Sequence, residues 1–278
     1  MQLATTEKQV RPFLRWAGGK NWFTKYVEEF LPNEFNNYYE PFLGGGSVFF
    51  YLKSKGLIKH KAFLSDSNKE LINTYKVIKS NPSDLIYSLK NHTDNEIEYY
   101  KMRNKEFDNN IEQAAKFLYL NKTSFNGIYR VNSHGKYNVP YGKRNLETLY
   151  NFEHIFEVSE MFDKTFFSTC DFKQKCKKAE NNDFVFIDPP YTVAHENNGF
   201  VQYNQSIFSW KNQIQLSNIA KEFTDRNVHF LVTNAFHNSI KNLYTTGNQI
   251  PLSRSSTIGG KGAKRTQYKE LLITNIES

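Results

Sequence analysis

The feature that most constrains the fold of this 278-residue chain is a short apolar run, Phe184–Ile187, that stops abruptly at the tetrapeptide Asp188–Tyr191, DPPY. Such a run is typical of a fully buried strand. Two consecutive prolines cannot continue the hydrogen-bonded ladder, so the strand ends there. The carboxylate and the ring of the tetrapeptide are therefore expected on a stiff backbone at the edge of a sheet.

Other strand-like runs alternate with helical patterns along the chain. The strand-like runs are Tyr38–Phe42, Ala62–Leu64, Phe166–Thr169, His229–Thr233 and Leu271–Thr274. Helical patterns cover Lys20–Leu31, a segment from Ser47 to about Gly56, Leu71–Ile78 and Ile111–Leu120. Strands that alternate with helices predict an α/β fold with a mostly parallel sheet and with ligands at the carboxyl ends of its strands.

The middle of the chain has a different character, because its helical periods lead into a turn-rich polar stretch. We therefore predict a catalytic domain in two parts, residues 1–72 and 166–278, interrupted by an insert over residues 73–165. The insert is expected to contain helices and a β-hairpin.

Composition limits the classes of protein to which the chain can belong. The formal net charge is 36 − 28 = +8, and 16% of the residues are aromatic, which suits a polyanionic partner whose unpaired bases stack on rings. Cys170 and Cys176 are the only cysteines, which excludes a disulfide framework and a zinc site of several thiolates. Neither a membrane helix nor a signal peptide is expected. We expect a cytoplasmic monomer.

A glycine cluster, Gly44–Gly46, follows the first strand and precedes a helix. A phosphate-binding Walker loop does not fit, because the segment Gly18-Gly19-Lys20 is followed by asparagine and not by serine or threonine. The dinucleotide spacing G-x-G-x-x-G is also absent. A nucleoside ligand without phosphates fits better, because Asp66 follows the next strand, where a carboxylate can accept both ribose hydroxyl protons. An ordinary strand-to-helix turn is the alternative.

The tetrapeptide suits the methylation of an aromatic amine. The nitrogen of such an amine is a poor nucleophile, because its lone pair is delocalised into the ring. Asp188 and the carbonyl of Pro189 can accept its two N–H hydrogens, and the face of Tyr191 can fix the plane of the base. A strand end capped by a turn is the alternative.

Four blocks in order resemble the Dam-type, or alpha-group, DNA N6-adenine methyltransferases. They are Arg11–Lys20 (RPFLRWAGGK), Glu40–Ser47, the insert with its hairpin, and Asp188–Tyr191. The resemblance spans nearly the whole chain. It implies a Rossmann-like S-adenosylmethionine-dependent methyltransferase fold with an inserted target-recognition domain, a flipped adenine in double-stranded DNA, and direct methyl transfer without a metal ion.

The resemblance also assigns cofactor contacts. Trp16, Ala17, Gly18 and Lys20 would contact S-adenosylmethionine, and Glu40, Phe42, Gly44, Gly46 and Ser47 would line the same site. Asp66 would hold the ribose hydroxyls, Asp171 and Phe172 would flank the cofactor adenine, and Asp188 would lie between cofactor and target base. For Trp16 the alternative is a core aromatic residue, and for Lys20 a solvated charge.

The segment from Ile128 to Val139 is expected to form the hairpin. Period-two alternation puts Ile128, Arg130 and Asn132 on one face, and a guanidinium and an amide are the groups that pair with guanine and adenine edges. A solvated polar face is the alternative. The resemblance implies recognition of a GATC site, a wedge at Phe125, and a closing edge at Pro140 and Tyr141. It is compatible with restriction-modification, phage and regulatory roles.

Two further segments are predicted to be DNA-facing loops. They are Thr192–Asn204, which could close over an extruded base, and the basic stretch Ser253–Gln267; for the second, a disordered surface loop is the alternative.

Three other functions are alternatives to adenine methylation. A cytosine C5 methyltransferase is excluded by the lack of a suitably placed cysteine nucleophile. An N-methyltransferase acting on RNA or a protein amide is disfavoured by Asp188, since similar enzymes usually carry asparagine there. A non-catalytic DNA-binding module leaves Asp66 and the Trp16–Lys20 segment unexplained.

Overall fold

The computed structural model describes residues 9–132, 134–143, 150–192, 208–255 and 267–277. It divides the chain into two compact units. The first contains the described residues of 1–24, 43–58 and 65–169, and the second contains those of 25–42, 59–64 and 170–278. The proposed DNA-facing segments fall largely at 193–207 and 256–266, which lie outside the described residues.

The described residues form seven strands in one mixed sheet. The strands are β1 (Tyr38–Glu40), β2 (Ala62–Asp66), β3 (Thr165–Thr169), β4 (Phe184–Ile187), β5 (His229–Ala235), β6 (Asn248–Ser255) and β7 (Gln267–Thr274). Their order is β3-β2-β1-β4-β5-β7-β6. The prediction of an α/β fold with a mostly parallel sheet is confirmed.

The central pairings of the sheet are parallel. β1 pairs with both β2 and β4, and β4 pairs with β5. The four residues of β4 are all buried, as their apolar character predicts for a strand covered on both faces. Because parallel strands end at the same edge, the carboxyl ends of β1, β4 and β5 share one edge.

β7 reverses this direction, since it lies antiparallel between β5 and β6. β6 was not predicted from the sequence, because Pro251 interrupts its pattern. Its place at the end of the sheet order explains why the proline is tolerated, since one side of an edge strand needs no ladder hydrogen bonds.

The α-helices of the described residues are more numerous than the sequence patterns predicted. They are α1 (Ser47–Ser54), α2 (Lys69–Ser80), α3 (Pro82–Lys90), α4 (Glu96–Asn104), α5 (Asn110–Thr123), α6 (Phe152–Glu160), α7 (Phe172–Cys176), α8 (Trp210–Asp225) and α9 (Asn238–Leu243). Asparagine side chains cap several of them. Asn68, for example, accepts from Leu71 N at the start of α2. No described helix has the length and apolar character needed to cross a bilayer.

The helix predicted over Lys20–Leu31 is wrong. The structure has turns there and a single short 3-10 helix, Val27–Phe30. Phe23 N donates to Lys20 O, and Glu29 N donates to Tyr26 O. These hydrogen bonds join residues three apart along the chain, whereas those of an α-helix join residues four apart. The apolar residues at positions 23, 27 and 30 are nevertheless buried.

Each unit has its own apolar core. In the first unit the fully buried Tyr75 of α2 contacts the rings of Phe13, Phe162 and Phe167. In the second unit the core lies between the sheet and its helices. It includes Val185, Ile187, Leu216, Phe223, Phe230, Val232 and Leu271.

Candidate active site

In the first unit, the glycine cluster forms a tight turn into α1. Gly44 and Gly46 have positive φ values of 47° and 68°, and Gly46 is the N-cap of α1. The left-handed region is costly for residues with a side chain. A Cβ on Gly44 would also lie 2.7 Å from Cδ1 of Trp16. The backbone of this turn therefore packs directly against the indole ring, and a side chain at position 44 would displace it.

The Asp66 carboxylate holds this turn. Its Oδ2 accepts from Gly44 N at 3.0 Å, and its Oδ1 accepts from Asn68 N at 2.9 Å. Burial raises the pKa of Asp66 above its ordinary value, although backbone hydrogen bonds from Asn68, Gly44 and Ser67 oppose the shift. A carboxylate offers about four lone-pair sites, so Asp66 can accept ribose hydroxyls while it holds the turn.

Trp16 is half-buried among aromatic residues of the same unit. Its ring stacks on Tyr129 at a centroid distance of 5.4 Å and an interplanar angle of 21°, and it also contacts Phe117. Ala17 and Gly18 are exposed, whereas Lys20 is buried and its Nζ donates to Gly18 O at 3.2 Å. Lys20 is thus turned onto its own backbone, which does not resemble a phosphate cradle.

Ser47 begins α1 and is 8% exposed. Its Oγ lies 3.7 Å from the position of a Cβ on Gly19. The structure therefore brings Ser47 beside the segment around Trp16, as expected for residues of one site.

The second unit holds the other residues predicted to contact the cofactor. Phe42 stacks on Phe172 at 5.3 Å with an interplanar angle of 26°. Asp171 caps α7, where its Oδ1 accepts from Lys173 N at 2.8 Å. Glu40 is buried at the end of β1 and accepts from the hydroxyl of Tyr38 at 2.8 Å. An aromatic ring that follows directly on a capping acid, as Phe172 follows Asp171, could contact a purine base.

The tetrapeptide begins directly after β4, as predicted. Asp188 is half-buried, and its Oδ1 accepts from the hydroxyl of Thr233 on β5 at 2.6 Å. Pro189 is buried. The hydroxyl of Tyr191 donates to Oε2 of Glu270 on β7, also at 2.6 Å. Both functional side chains of the tetrapeptide are thus fixed by neighbouring strands.

Sequence reasoning missed both supporting residues. Thr233 follows directly on the apolar run of β5, and Glu270 is a charged residue next to the buried leucines of β7. A polar side chain inside an apolar strand is the signal that could have found them, because such groups require a partner when they are buried.

The predicted hairpin is present as a short two-armed turn in the first unit. Asn132 N donates to Lys136 O, Asn138 N donates to Arg130 O, and Val131 and Tyr137 form an isolated bridge. No regular strand forms over the described residues of this segment.

The Arg130 side chain is exposed and anchored. Its Nε donates to Asn138 Oδ1 at 2.8 Å, and its Nη2 donates to the carbonyl of Asn138 at 3.3 Å. The Asn132 side chain serves the turn instead, since its Oδ1 accepts from the backbone N–H groups of His134 and Lys136. Asn138, which the sequence analysis did not single out, therefore orients the guanidinium.

The remaining residues predicted to bind DNA surround this turn. Phe125 is 53% exposed, and its N–H donates to the carbonyl of the exposed Pro140. Ile128 is half-buried and accepts from the Tyr137 hydroxyl through its carbonyl. Tyr141 is tied by its hydroxyl to Asp94 at 2.7 Å, and burial with this partner raises its pKa to about 12. An exposed aromatic ring and an anchored guanidinium are both groups that can contact nucleic acid bases.

The described residues contain no cluster of three or more His, Cys, Asp or Glu side chains that could hold a metal ion. Cys176 is buried, and burial raises the pKa of its thiol above the ordinary value. A thiol in this state is a poor nucleophile.

Comparison with known proteins identifies the family of this chain. The family model of the D12 class N6 adenine-specific DNA methyltransferases matches residues 16–258. The chain belongs to this family. The match extends from Trp16 in the first unit past the tetrapeptide in the second. The prediction of a DNA N6-adenine methyltransferase is thereby confirmed.

Individual relatives in curated collections extend over nearly the whole chain. A Type II methyltransferase of Lactococcus lactis subsp. cremoris is 34% identical over 276 residues, covering 96% of this chain and 95% of the relative. A Type II methyltransferase of Methanocaldococcus jannaschii is 33% identical, with coverages of 96% and 99%. A DNA adenine methylase of Haemophilus influenzae is 29% identical, with coverages of 94% and 92%.

Proposed function

We propose that this D12-class enzyme binds S-adenosylmethionine and methylates the N6 amino group of a flipped adenine within a GATC site of double-stranded DNA. The observation that carries the proposal is the fixed tetrapeptide. A carboxylate is held at the end of a buried strand by Thr233, and the ring of Tyr191, directly after the two prolines, is held by Glu270.

The residues of the first unit fit the nucleoside part of the cofactor. Asp66 can accept ribose hydroxyls, the Gly44–Gly46 turn exposes backbone without side chains, and the segment from Trp16 to Gly18 can cover the methionine part. The sole basic side chain between positions 16 and 20, Lys20, donates to a backbone carbonyl, so the chemistry of these groups suits a ligand without phosphates.

In the second unit, Asp171 and Phe172 would flank the cofactor adenine, and Glu40 and Phe42 would line the same site. The bound cofactor supplies a methyl group on a sulfonium centre. Because no residue of this chain needs to form a covalent bond in such a transfer, the contribution of the protein is to bind, orient and stabilise charge.

The tetrapeptide performs the orienting step. The Asp188 carboxylate and the Pro189 carbonyl would accept the two N–H hydrogens of the adenine amino group. These hydrogen bonds favour a pyramidal nitrogen whose lone pair is available, and they stabilise the positive charge that develops on it. The face of Tyr191 would stack on the extruded base and fix its plane.

In the hairpin, Arg130 is proposed to recognise a guanine. Its hydrogen bonds to Asn138 orient the guanidinium and reduce the side-chain entropy that Arg130 loses when it binds DNA. Asn132 is proposed to shape the turn, because its amide oxygen already accepts two backbone N–H groups, and pairing with an adenine edge would require both bonds to open. Phe125, Ile128, Pro140 and Tyr141 complete the proposed DNA surface.

The catalytic part of the proposal predicts the outcome of an Asp188→Ala substitution. The wild-type protein should transfer labelled methyl groups from S-adenosylmethionine to duplex DNA, and the variant should lose about three or more orders of magnitude in rate, as expected when a charge-stabilising group is removed from the reacting atoms. Asp183→Asn is the matched control, because Asp183 is a buried acid of the same unit that holds backbone and side-chain N–H groups. Incorporation into RNA alone, or near-normal turnover by Asp188→Ala, would overturn the proposal.

The specificity part predicts the outcome of Arg130→Ala. The rate on a duplex with one GATC site is compared with the rate on a duplex in which the guanine pair is changed. The variant should lose about 1–3 kcal/mol of discrimination, or roughly 5- to 150-fold. Lys101→Ala, which removes an exposed cation elsewhere in the first unit, should leave this ratio unchanged. An unaltered ratio in Arg130→Ala would refute the role of the hairpin.

Base extrusion is tested separately. A duplex with 2-aminopurine in place of the target adenine should become more fluorescent when the protein binds, because the fluorophore leaves the base stack. Binding without a change of fluorescence would contradict extrusion while leaving methyl transfer intact.

A further inference from the structure

Glu270 presents a physical problem that the family assignment leaves open. It lies on β7 beside Leu271 and Leu272, and it is only 2% exposed, while each leucine is 1% exposed. Removing a carboxylate from water is costly unless hydrogen bonds compensate for the loss of hydration. An apolar residue would fill this position of the sheet at lower cost, so the acid calls for a role beyond packing.

The Tyr191 hydroxyl provides the compensation. It donates to Oε2 of Glu270 at 2.6 Å, which is the short distance typical of a hydrogen bond to an ionised acceptor. Burial and the negative charge of Glu270 raise the pKa of Tyr191 well above its ordinary value. The phenol therefore stays protonated and continues to donate throughout the physiological pH range.

The sheet register places this contact beside the one that holds Asp188. Thr233 lies opposite Leu272, and Ala235 lies opposite Glu270. Residues that lie opposite each other share a face, and so do residues two apart along a strand. Thr233 and Glu270 are therefore diagonal neighbours on one face of the β5–β7 ladder, where one holds the carboxylate of the tetrapeptide and the other holds its ring.

We propose that Glu270 is a positioning residue that fixes the plane of the Tyr191 ring, and with it the angle at which the target base stacks for methyl transfer. The Tyr191 side chain is then held at two ends. The stiff backbone of the two prolines fixes its Cα, and Glu270 fixes its hydroxyl. This inference rests on the proposed function, because it assigns Glu270 a role in that same reaction.

The test is a double-mutant cycle with Glu270→Leu and Tyr191→Phe, read by the single-turnover rate of methyl transfer to duplex DNA. Glu270→Leu should slow the step by about ten- to a hundredfold, the scale expected for a misplaced reacting group. The Kd values for DNA and S-adenosylmethionine should change by no more than about threefold, since the ring still contributes its stacking surface.

The cycle distinguishes positioning from general stability. In the Tyr191→Phe background, Glu270→Leu should slow the reaction further by no more than about twofold, because the contact is already absent. Glu270→Gln keeps an acceptor oxygen and should recover most of the rate. Thr274→Val, which removes a buried hydrogen bond of the same strand to Phe230 O, should lower Tm without changing the single-turnover rate at a temperature where the variant is folded.

Fluorescence of bound 2-aminopurine provides a readout that a purely structural role would not move. Glu270→Leu should alter the intensity of the protein–DNA complex, and Thr274→Val should not. Equal effects of Glu270→Leu in both backgrounds, or Glu270→Gln as slow as Glu270→Leu, would overturn the inference. If Glu270→Leu does not fold, the comparison of Glu270→Gln with Tyr191→Phe decides the matter, since only the second should be slow. A wild-type protein that leaves duplex DNA unmethylated would overturn the proposed function as well.

Discussion

The contact between Thr233 and Asp188 provides the sharpest test of how the tetrapeptide is held. Thr233 is 2% exposed, and its hydroxyl donates to Oδ1 of Asp188 at 2.6 Å. Thr233→Val preserves the branched shape of the side chain but replaces the hydroxyl with a methyl group. The carboxylate then loses one donor and gains freedom to rotate about its side-chain bonds.

The size of the effect follows from this geometry. A hydrogen bond to a charged group contributes about 1.5–3 kcal/mol, which corresponds to roughly 10- to 150-fold in rate if the whole contribution is lost in the transition state. Asp188 is half-buried, so water can replace part of the lost bond. We therefore expect a decrease of about tenfold, at the lower end of this range.

The assay is single-turnover methyl transfer at saturating cofactor, with KM for duplex DNA measured alongside. The rate should fall while KM stays nearly constant, because the lost contact orients a reacting group and does not bind DNA. Thr233→Ser retains the hydroxyl and should stay close to wild type. A Thr233→Val enzyme within about twofold of the wild-type rate, or a serine variant as slow as the valine one, would refute the argument.

Two further substitutions test the cofactor turn and the effect of pH on stability. Gly44→Ala forces a residue with a side chain into a left-handed conformation and places its Cβ 2.7 Å from Trp16. We expect about 1–3 kcal/mol of strain, so calorimetric titration should show that cofactor binding is weakened by about tenfold or more. His229 Nε2 donates to Asn182 Oδ1 at 2.9 Å, and burial lowers the pKa of His229. The unfolded chain therefore binds the proton more readily, so this group costs stability as pH falls below the ordinary histidine pKa. His229→Gln should flatten the fall of Tm between neutral and mildly acidic pH, and an unchanged slope would contradict the assignment.

The sequence predicted the parts of the fold that follow from local pattern. β4 was identified with its observed bounds, because a continuous apolar run ended by two prolines has few other solutions. The α2 and α5 patterns were also found, since their apolar spacing fits one buried face. The helix predicted over Lys20–Leu31 was wrong, because turns with hydrogen bonds between residues three apart bury the same apolar residues.

The site was harder to predict, because its support comes from distant parts of the chain. Asp188 and Tyr191 could be assigned from chemistry and order along the sequence. Their partners, Thr233 and Glu270, follow 45 and 79 residues later, and only the pairing of β5 with β7 brings them together. The Asn132 amide shows the converse, since its residue type suited base recognition while the local backbone uses its oxygen for the turn.

The bond from Gly44 N to Asp66 has a consequence for the energetics of cofactor capture. Because the carboxylate constrains the glycine turn, the loop is preorganised, and little conformational entropy is lost when the ribose binds. The same bond ties the shape of the loop to the ionisation of one acid. Protonation of Asp66 in an acidic medium would thus weaken both the acceptor for the sugar and the scaffold around it in a single event.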